Sequence, residues 1–206
     1  RGGEKLAYAI EKWEIPVSGT VWIDAGSSTG GFTDVLLQNG AAHVHAVDVG
    51  TNQLAYSLRR DPRVSVREGT NLFDLTELDP PADCACCDLS FRSLLGAAGH
   101  LLSLVHHHRL IALIKPQFEL QQRLRREPTE RGDGFDGVVR DDGLLRSLLR
   151  ELLETVWEAD GARAVALLES PVRGTKGNRE FIVDLRASDA PAESESIVTL
   201  VETLLA

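Results

Sequence analysis

The sequence predicts an α/β protein built on a doubly wound, mostly parallel sheet of seven strands. Three observations predict it. Short apolar runs, the length of buried strands, alternate with stretches of helical spacing. The first run, Val21-Trp22-Ile23-Asp24, passes through a loop of small residues, Ala25 to Gly31, directly into the helix-spaced Phe32-Thr33-Asp34-Val35-Leu36-Leu37. The alternation breaks only near the end, where two strand-like runs, 163–169 and 180–186, follow each other, so one strand there should run antiparallel.

Each element has its own signal. Residues 4–14 space Leu6, Ile10 and Trp13 for a helix packed on the sheet. Pro16 and Gly19 punctuate before the first strand. The helix after the glycine loop runs to about Gln38 and ends at Asn39-Gly40. A second strand covers 43–48, a second crossover helix 52–60, and a short strand 64–66. Asp79-Pro80-Pro81 is a turn, and 83–88 a fourth strand ending in Asp88. A helix follows over 93–105. His106, His107 and His108 read as an exposed turn, since consecutive residues cannot all face one metal on a regular element. Residues 109–115 are the cleanest buried strand and end in Lys115. Residues 120–140 turn polar around a Gly-rich centre, 131–137, which predicts a long functional loop. A long amphipathic helix starts near Asp141-Asp142. The segment 187–196 is Ser/Ala/Glu/Pro-rich and reads as loose, and a short helix over 197–205 closes the chain.

Composition bounds the class. The 206 residues suffice for one domain, 1–206, with an N-terminal helix and linker over 1–18 and the loose segment and last helix over 187–206. No apolar run approaches the roughly 18 residues that cross a membrane, and no signal peptide opens the chain. The first residue is arginine, which reads as the start of a fragment. No methionine occurs. Cys84, Cys86 and Cys87 crowd one strand, so they read as small buried residues of a reducing cytoplasm rather than as metal ligands, and no metal is expected. The net charge of −9 argues against nucleic-acid binding by the whole surface and leaves room for a local basic patch.

The glycine loop carries the chemistry. Its pattern is D-x-G-x-x-T-G-G-F, from Asp24 through Gly26, Thr29, Gly30 and Gly31 to Phe32. Glycines let backbone approach a ligand, and the helix start offers unpaired N–H groups. A carboxylate at the strand end would repel a pyrophosphate. It would welcome a ligand with an ammonium and a sulfonium, and S-adenosylmethionine is such a ligand. Asp48 ends the second strand 24 residues on, placed to accept bonds from ribose hydroxyls, the alternative being a loop or capping acid. Thr70 to Asp74 follow the third strand, where a cofactor base edge would sit. Lys5, Asp88, Lys115 and Glu180 lie at ends of elements, and the last three converge on one sheet edge.

Here the chain resembles a family. Arg1-Gly2-Gly3-Glu4-Lys5-Leu6, the loop from Asp24 to Asp34, Ala46-Val47-Asp48-Val49-Gly50, Gln53-Leu54, Asp61-Pro62-Arg63-Val64, Thr70-Asn71, Asp88-Leu89-Ser90-Phe91, Lys115-Pro116-Gln117-Phe118-Glu119, Gly137 to Asp141 and Gly177-Asn178-Arg179-Glu180-Phe181 look like the TlyA (hemolysin A) family of FtsJ-like ribosomal RNA 2′-O-methyltransferases. The resemblance implies a Rossmann-like fold of the class I S-adenosylmethionine-dependent type and transfer of a methyl group to a ribose 2′-hydroxyl of ribosomal RNA or a ribosomal subunit. It implies a K-D-K-E tetrad at Lys5, Asp88, Lys115 and Glu180. It implies cofactor contacts at Asp24, Gly26, Ser27, Ser28, Thr29, Gly30, Gly31, Phe32, Asp48, Val49, Asn71, Leu72 and Asp88. Lys115 is expected to orient the hydroxyl, its role as base staying open, while Asp88 sets Lys115 and Lys5 and Glu180 position the ribose. Two departures stand out. The family's small N-terminal RNA-binding domain does not precede Arg1 here, and Thr51-Asn52 stand where the family often has an aromatic.

Three rival readings remain. A cofactor- or RNA-binding protein without chemistry is opposed by the intact tetrad. A membrane-active hemolysin lacks a spanning segment or a strongly basic amphipathic helix. A nicotinamide dehydrogenase fails on the loop pattern.

Overall fold

The computed structural model describes residues 2–90, 92–126, 135–188 and 196–205. The elements run α1 (Gly2–Lys12), β1 (Val21–Ala25), α2 (Gly31–Gln38), β2 (His43–Asp48), α3 (Tyr56–Arg59), β3 (Val64–Glu68), β4 (Cys84–Cys87), α4 (Ala97–Ser103), β5 (Arg109–Ile114), α5 (Pro116–Arg126), α6 (Asp142–Asp160), β6 (Ala162–Glu169), β7 (Phe181–Ala187) and α7 (Ile197–Leu204). The sheet order is β3-β2-β1-β4-β5-β7-β6. The first five strands pair in parallel, and β7 runs antiparallel to both β5 and β6. The doubly wound sheet with an antiparallel strand near the end is therefore observed.

Side chains alternate across the sheet with the period of two that strands impose. Trp22, Val44, Cys84, Cys86 and Ile111 face α1 and α2, meeting Leu6, Ala9, Phe32 and Leu36. Ile23, Ala85, Cys87, Leu110 and Ala112 face the other layer, meeting Leu101 of α4, Leu145, Leu149 and Leu153 of α6 and Val201 of α7. All of these are buried. Each buried leucine contributes about 1.5–3 kcal/mol relative to an exposed one. The three cysteines are free and buried within these two layers. Among the described residues no helix is long and apolar enough to cross a membrane.

Chain order reverses beside β1, whose neighbours are β2 and β4. Crossovers leave to opposite sides there, so a crevice opens beyond the C-terminal ends of β1 and β4. Ligands of open α/β sheets bind in that crevice, and the candidate site lies there.

Several boundaries differ from the sequence reading. The helix expected over 52–60 shrinks to Tyr56–Arg59. The Glu68 carboxylate captures the backbone N–H groups of Asn52, Gln53 and Leu54 at 2.7–2.9 Å, holding those residues out of a helix. These bonds, with the Arg59 guanidinium, pull Glu68 down to about 2. The helix expected over 93–105 keeps only Ala97–Ser103, with Gly96 in the left-handed region at φ +81° before it. Residues 120–126 were expected to open a long loop. They continue α5, which starts at Pro116 immediately after β5. Residues 127–134 of that loop, and 189–195 of the expected loose segment, lie outside the described residues, while Ala187 belongs to β7. His106, His107 and His108 form the exposed turn expected, with His106 N–H and His107 N–H donating to the carbonyls of Ala82 and Asp83.

Candidate active site

The site begins with glycine contacts. Gly26, at φ +81°, leaves β1 where a Cβ would stand 2.5 Å from the Asp88 carbonyl oxygen. Only glycine lets the ends of β1 and β4 come this close. Gly3 and Gly31 make a second contact: a Cβ on Gly3 would lie 2.8 Å from the Gly31 oxygen. This lets α1 cross the start of α2 and carries Lys5 to the sheet edge. The Gly26 and Ser27 N–H groups donate to the Val47 carbonyl at 2.8 and 3.1 Å, tying the loop to β2.

Two adjoining cavities result. The larger, about 720 Å³, is lined by Gly26, Ser28, Asp48, Val49, Asn71, Leu72 and Asp88. Asp48 holds its shape, because one carboxylate oxygen accepts the Ser28 N–H at 2.8 Å and the other the Gly50 N–H at 2.7 Å. Each oxygen keeps a further lone pair for a ligand hydroxyl. Asn71 caps a 3-10 turn, Leu72–Asp74, by accepting the Phe73 N–H. Val49, 73% exposed, offers the cavity an uncovered apolar wall.

The second cavity, about 360 Å³, brings together Lys5, Asp88, Lys115 and Glu180 with Ser27, Thr29, Gly31 and Phe32. It shares Gly26, Ser28, Asp88 and Ser90 with the first, so the two are continuous. The tetrad splits into two ion pairs. Lys5 Nζ donates to Glu180 Oε2 at 2.5 Å, and both side chains are buried. Lys115 Nζ stands 2.5 Å from Asp88 Oδ1, an ion pair without hydrogen-bond alignment. Its aligned hydrogen bond goes to Ser90 Oγ at 3.0 Å. Glu180 sits where β7 begins opposite the end of β5, with Phe181 paired to Ile114. Gly174 makes room for its carboxylate, since a Cβ there would lie 2.5 Å from Oε1.

Two expected contacts are placed differently. Asp24 was expected to aim its carboxylate at the ligand, yet it is fully buried and lines neither cavity. Thr33 Oγ1–H donates to its Oδ2 at 2.6 Å, and the Cys86 thiol lies 3.9 Å from Oδ1. Burial, opposed by the Thr33 bonds and assisted by Asp88 and Asp48, pushes Asp24 up to about 7. Its role is to join β1 to the first turn of α2. Gly30 also lines neither cavity. It is left-handed at φ +96°, and a Cβ there would collide with Leu58 and Leu54.

Ser90 was not singled out from the sequence. It lines both cavities and accepts the Lys115 bond. Its signal was its place two residues after Asp88, in the loop leaving a strand at the ligand edge. Arg173 and Thr175 also line the tetrad cavity, brought there by the tight turn in which Gly174 N–H and the Asn178 carbonyl pair at 2.9 Å.

The family model of FtsJ-like methyltransferases matches residues 1–187. The 16S/23S rRNA (cytidine-2′-O)-methyltransferase TlyA of Mycobacterium tuberculosis is 43% identical over 193 residues, which is 90% of this chain and 67% of that protein. The chain thus spans about two thirds of that relative's length. The crystal structure of a hemolysin-like protein from Lactococcus lactis superposes with a TM-score of 0.82 at 36% identity, covering 98% of this chain and 96% of that one. A magnesium protoporphyrin IX methyltransferase from Synechocystis, solved with bound S-adenosylmethionine, shares the fold at a TM-score of 0.54 and 16% identity, covering 91% of this chain and 80% of that one.

Proposed function

Since the chain belongs to the FtsJ-like methyltransferase family, we propose that it transfers a methyl group from S-adenosylmethionine to a ribose 2′-hydroxyl of ribosomal RNA. One observation carries the reading: Lys5, Asp88, Lys115 and Glu180, far apart in sequence, line one cavity that is continuous with the Asp48 cavity. The cytidine named for the Mycobacterium tuberculosis relative makes cytidine the first target to test.

The residues present fit the cofactor. Asp48 and Asp88 line the larger cavity, and Arg92 is the one cation among its lining residues. The Arg92 guanidinium lies over the Phe73 ring at 4.5 Å. Such a wall suits a cationic ligand with ribose hydroxyls and disfavours a pyrophosphate. Asp48 would hold the ribose, Val49, Asn71 and Leu72 would flank the base, and the Gly26–Thr29 loop with Asp88 would hold the amino-acid end. The bound cofactor supplies an electrophilic methyl group on a sulfonium.

The chain's own part is positioning and electrostatics. Lys115 is held by Asp88 and Ser90, and its remaining N–H direction is the one to hold the substrate 2′-oxygen. The Lys5–Glu180 pair forms the facing wall and fixes the ribose. An rRNA substrate places the protein in the cytoplasm. The reading is tested by incubating the protein with methyl-labelled S-adenosylmethionine and unmodified ribosomal RNA, then digesting to nucleosides. Label in a 2′-O-methylnucleoside is expected. Label on a base, or none, overturns it.

A further inference from the structure

Gly26, Ser28, Asp88 and Ser90 face both the Asp48 cavity and the tetrad cavity. Lys115 lines the tetrad cavity and not the Asp48 cavity, and both Asp88 and Ser90 touch it. They hold it in different ways. Asp88 Oδ1 stands 2.5 Å from Nζ without hydrogen-bond alignment, so it contributes charge, and a Coulomb attraction depends on distance alone. Ser90 Oγ accepts an aligned Nζ–H at 3.0 Å, and a hydrogen bond depends on angle. Ser90 therefore sets the direction of the ammonium. With one N–H fixed, the remaining N–H groups can turn only about that bond.

The Ser90 hydroxyl has a second capacity. A hydroxyl carries one hydrogen and two lone pairs, and the Lys115 bond occupies one lone pair. Among the described residues its hydrogen meets no acceptor. Ser90 is exposed, so that hydrogen is open to a ligand. Its loop neighbours Leu89, Arg92, Ser93 and Leu95 also line the Asp48 cavity. The same loop is fastened to α5, where Glu119 Oε1 accepts the Leu94 N–H at 3.0 Å. Because α5 starts at Pro116, directly after Lys115, the loop and the lysine are joined both through Ser90 and through Leu94.

Resting on the function proposed above, we infer that Ser90 is a positioning residue through which a bound cofactor aligns Lys115 for the substrate, so that cofactor and RNA each strengthen the other's binding. Gly26, Ser28 and Asp88, which would hold the cofactor's amino-acid end, are the residues that share both cavities with Ser90. That end carries a carboxylate, the kind of acceptor that the Ser90 hydrogen lacks within the protein. In the free protein the hydroxyl hydrogen has three staggered positions, and any that aims it at Lys115 opposes the Lys115 bond. A carboxylate on the cofactor side selects the position that leaves a lone pair facing Lys115. The ammonium is then held in one orientation, with an N–H directed at the place of the 2′-oxygen. Coupling of two binding events is reciprocal, so RNA must favour the cofactor by the same factor.

The test measures the affinity of the protein for unmodified ribosomal RNA with and without saturating S-adenosylhomocysteine, which keeps the amino-acid end and has no methyl group to give. Wild type should bind the RNA roughly threefold to tenfold tighter with S-adenosylhomocysteine present, the range of one hydrogen bond. Calorimetry should show S-adenosylhomocysteine binding tighter by the same factor when RNA is present. Ser90→Val should bring both ratios near one, while Ser90→Thr, which has the same shape and keeps the hydroxyl, should restore them. A merely structural role would lower the separate affinities and leave the ratio unchanged. Coupling that survives in Ser90→Val overturns the inference. So does a wild type that transfers label to a 2′-O-methylnucleoside yet shows no coupling, a result that needs no variant to fold. A wild type that labels no 2′-O-methylnucleoside overturns the proposed function instead, and the inference with it.

Discussion

Lys5 and Glu180 are separated by 175 residues and form a buried ion pair at 2.5 Å. One sits on α1, the other at the head of β7, the strand beside the edge strand β6. The pair closes the tetrad cavity and ties the N-terminal helix to the C-terminal hairpin. Removing one partner leaves a buried charge without compensation, which costs about 3–5 kcal/mol. Lys5→Ala and Glu180→Ala should each lose stability on that scale in urea denaturation, and the double variant should lose less than their sum. Additive losses would show that the two do not act as a pair.

Lys115→Ala should cut methyl transfer by at least about a hundredfold, since a hydroxyl-positioning cation is lost. Affinity for S-adenosylmethionine, read by calorimetry, should stay within a few-fold, because Lys115 does not line the Asp48 cavity. Retained turnover would remove Lys115 from the mechanism.

Asp48→Ala should weaken S-adenosylmethionine binding by tenfold or more. The carboxylate both faces the cavity and fixes the Ser28 and Gly50 amides. Charge-assisted bonds of this kind contribute about 1.5–3 kcal/mol each. Asp48→Asn, which keeps an acceptor but loses the charge, should fall between the two. Equal binding by all three proteins would exclude the ribose role.

Asp24 gives a pH dependence of defined sign. Its carboxyl is pushed up to about 7 from 3.8, chiefly by burial. Between those values the folded chain holds a proton that the unfolded chain has released. Its contribution is full below about 3.8, declines as pH rises and levels off above about 7, with a slope of at most about 1.4 kcal/mol per pH unit. His43 and His45, both lowered by burial, act oppositely and lose stability as pH falls below 6.5. The difference between wild type and Asp24→Asn isolates the carboxyl. That difference, from urea denaturation between pH 5 and 8, should shift in favour of the variant as pH rises. A flat difference would mean that Asp24 is ionised throughout.

The architecture, and the sheet edge at which the candidate site lies, can be read from local sequence. Strand and helix periods are local properties. A loop such as Ala25 to Gly31 announces a ligand edge whatever it packs against, and motif positions such as Asp88 and Lys115 can be read from neighbours in the chain. What tertiary structure decided is which side chains turn inward and which meet. Asp24 and Asp48 look alike in sequence, each an acid at a strand's end. The structure buries Asp24 under Thr33 and leaves Asp48 at the cavity, because the pleat of β1 turns Asp24 toward α2, while the Asp48 carboxylate lies against the Ser28 and Gly50 amides. The helix expected over 52–60 lost its first half to Glu68 on a neighbouring strand, which no local spacing encodes. The split of the tetrad into Lys5–Glu180 and Lys115–Asp88 and the bond from Lys115 to Ser90 both depend on contacts between elements distant in the chain. Such contacts leave no periodic trace, because hydrogen bonds and ion pairs are set by distances of a few ångströms in space and not by spacing along the chain.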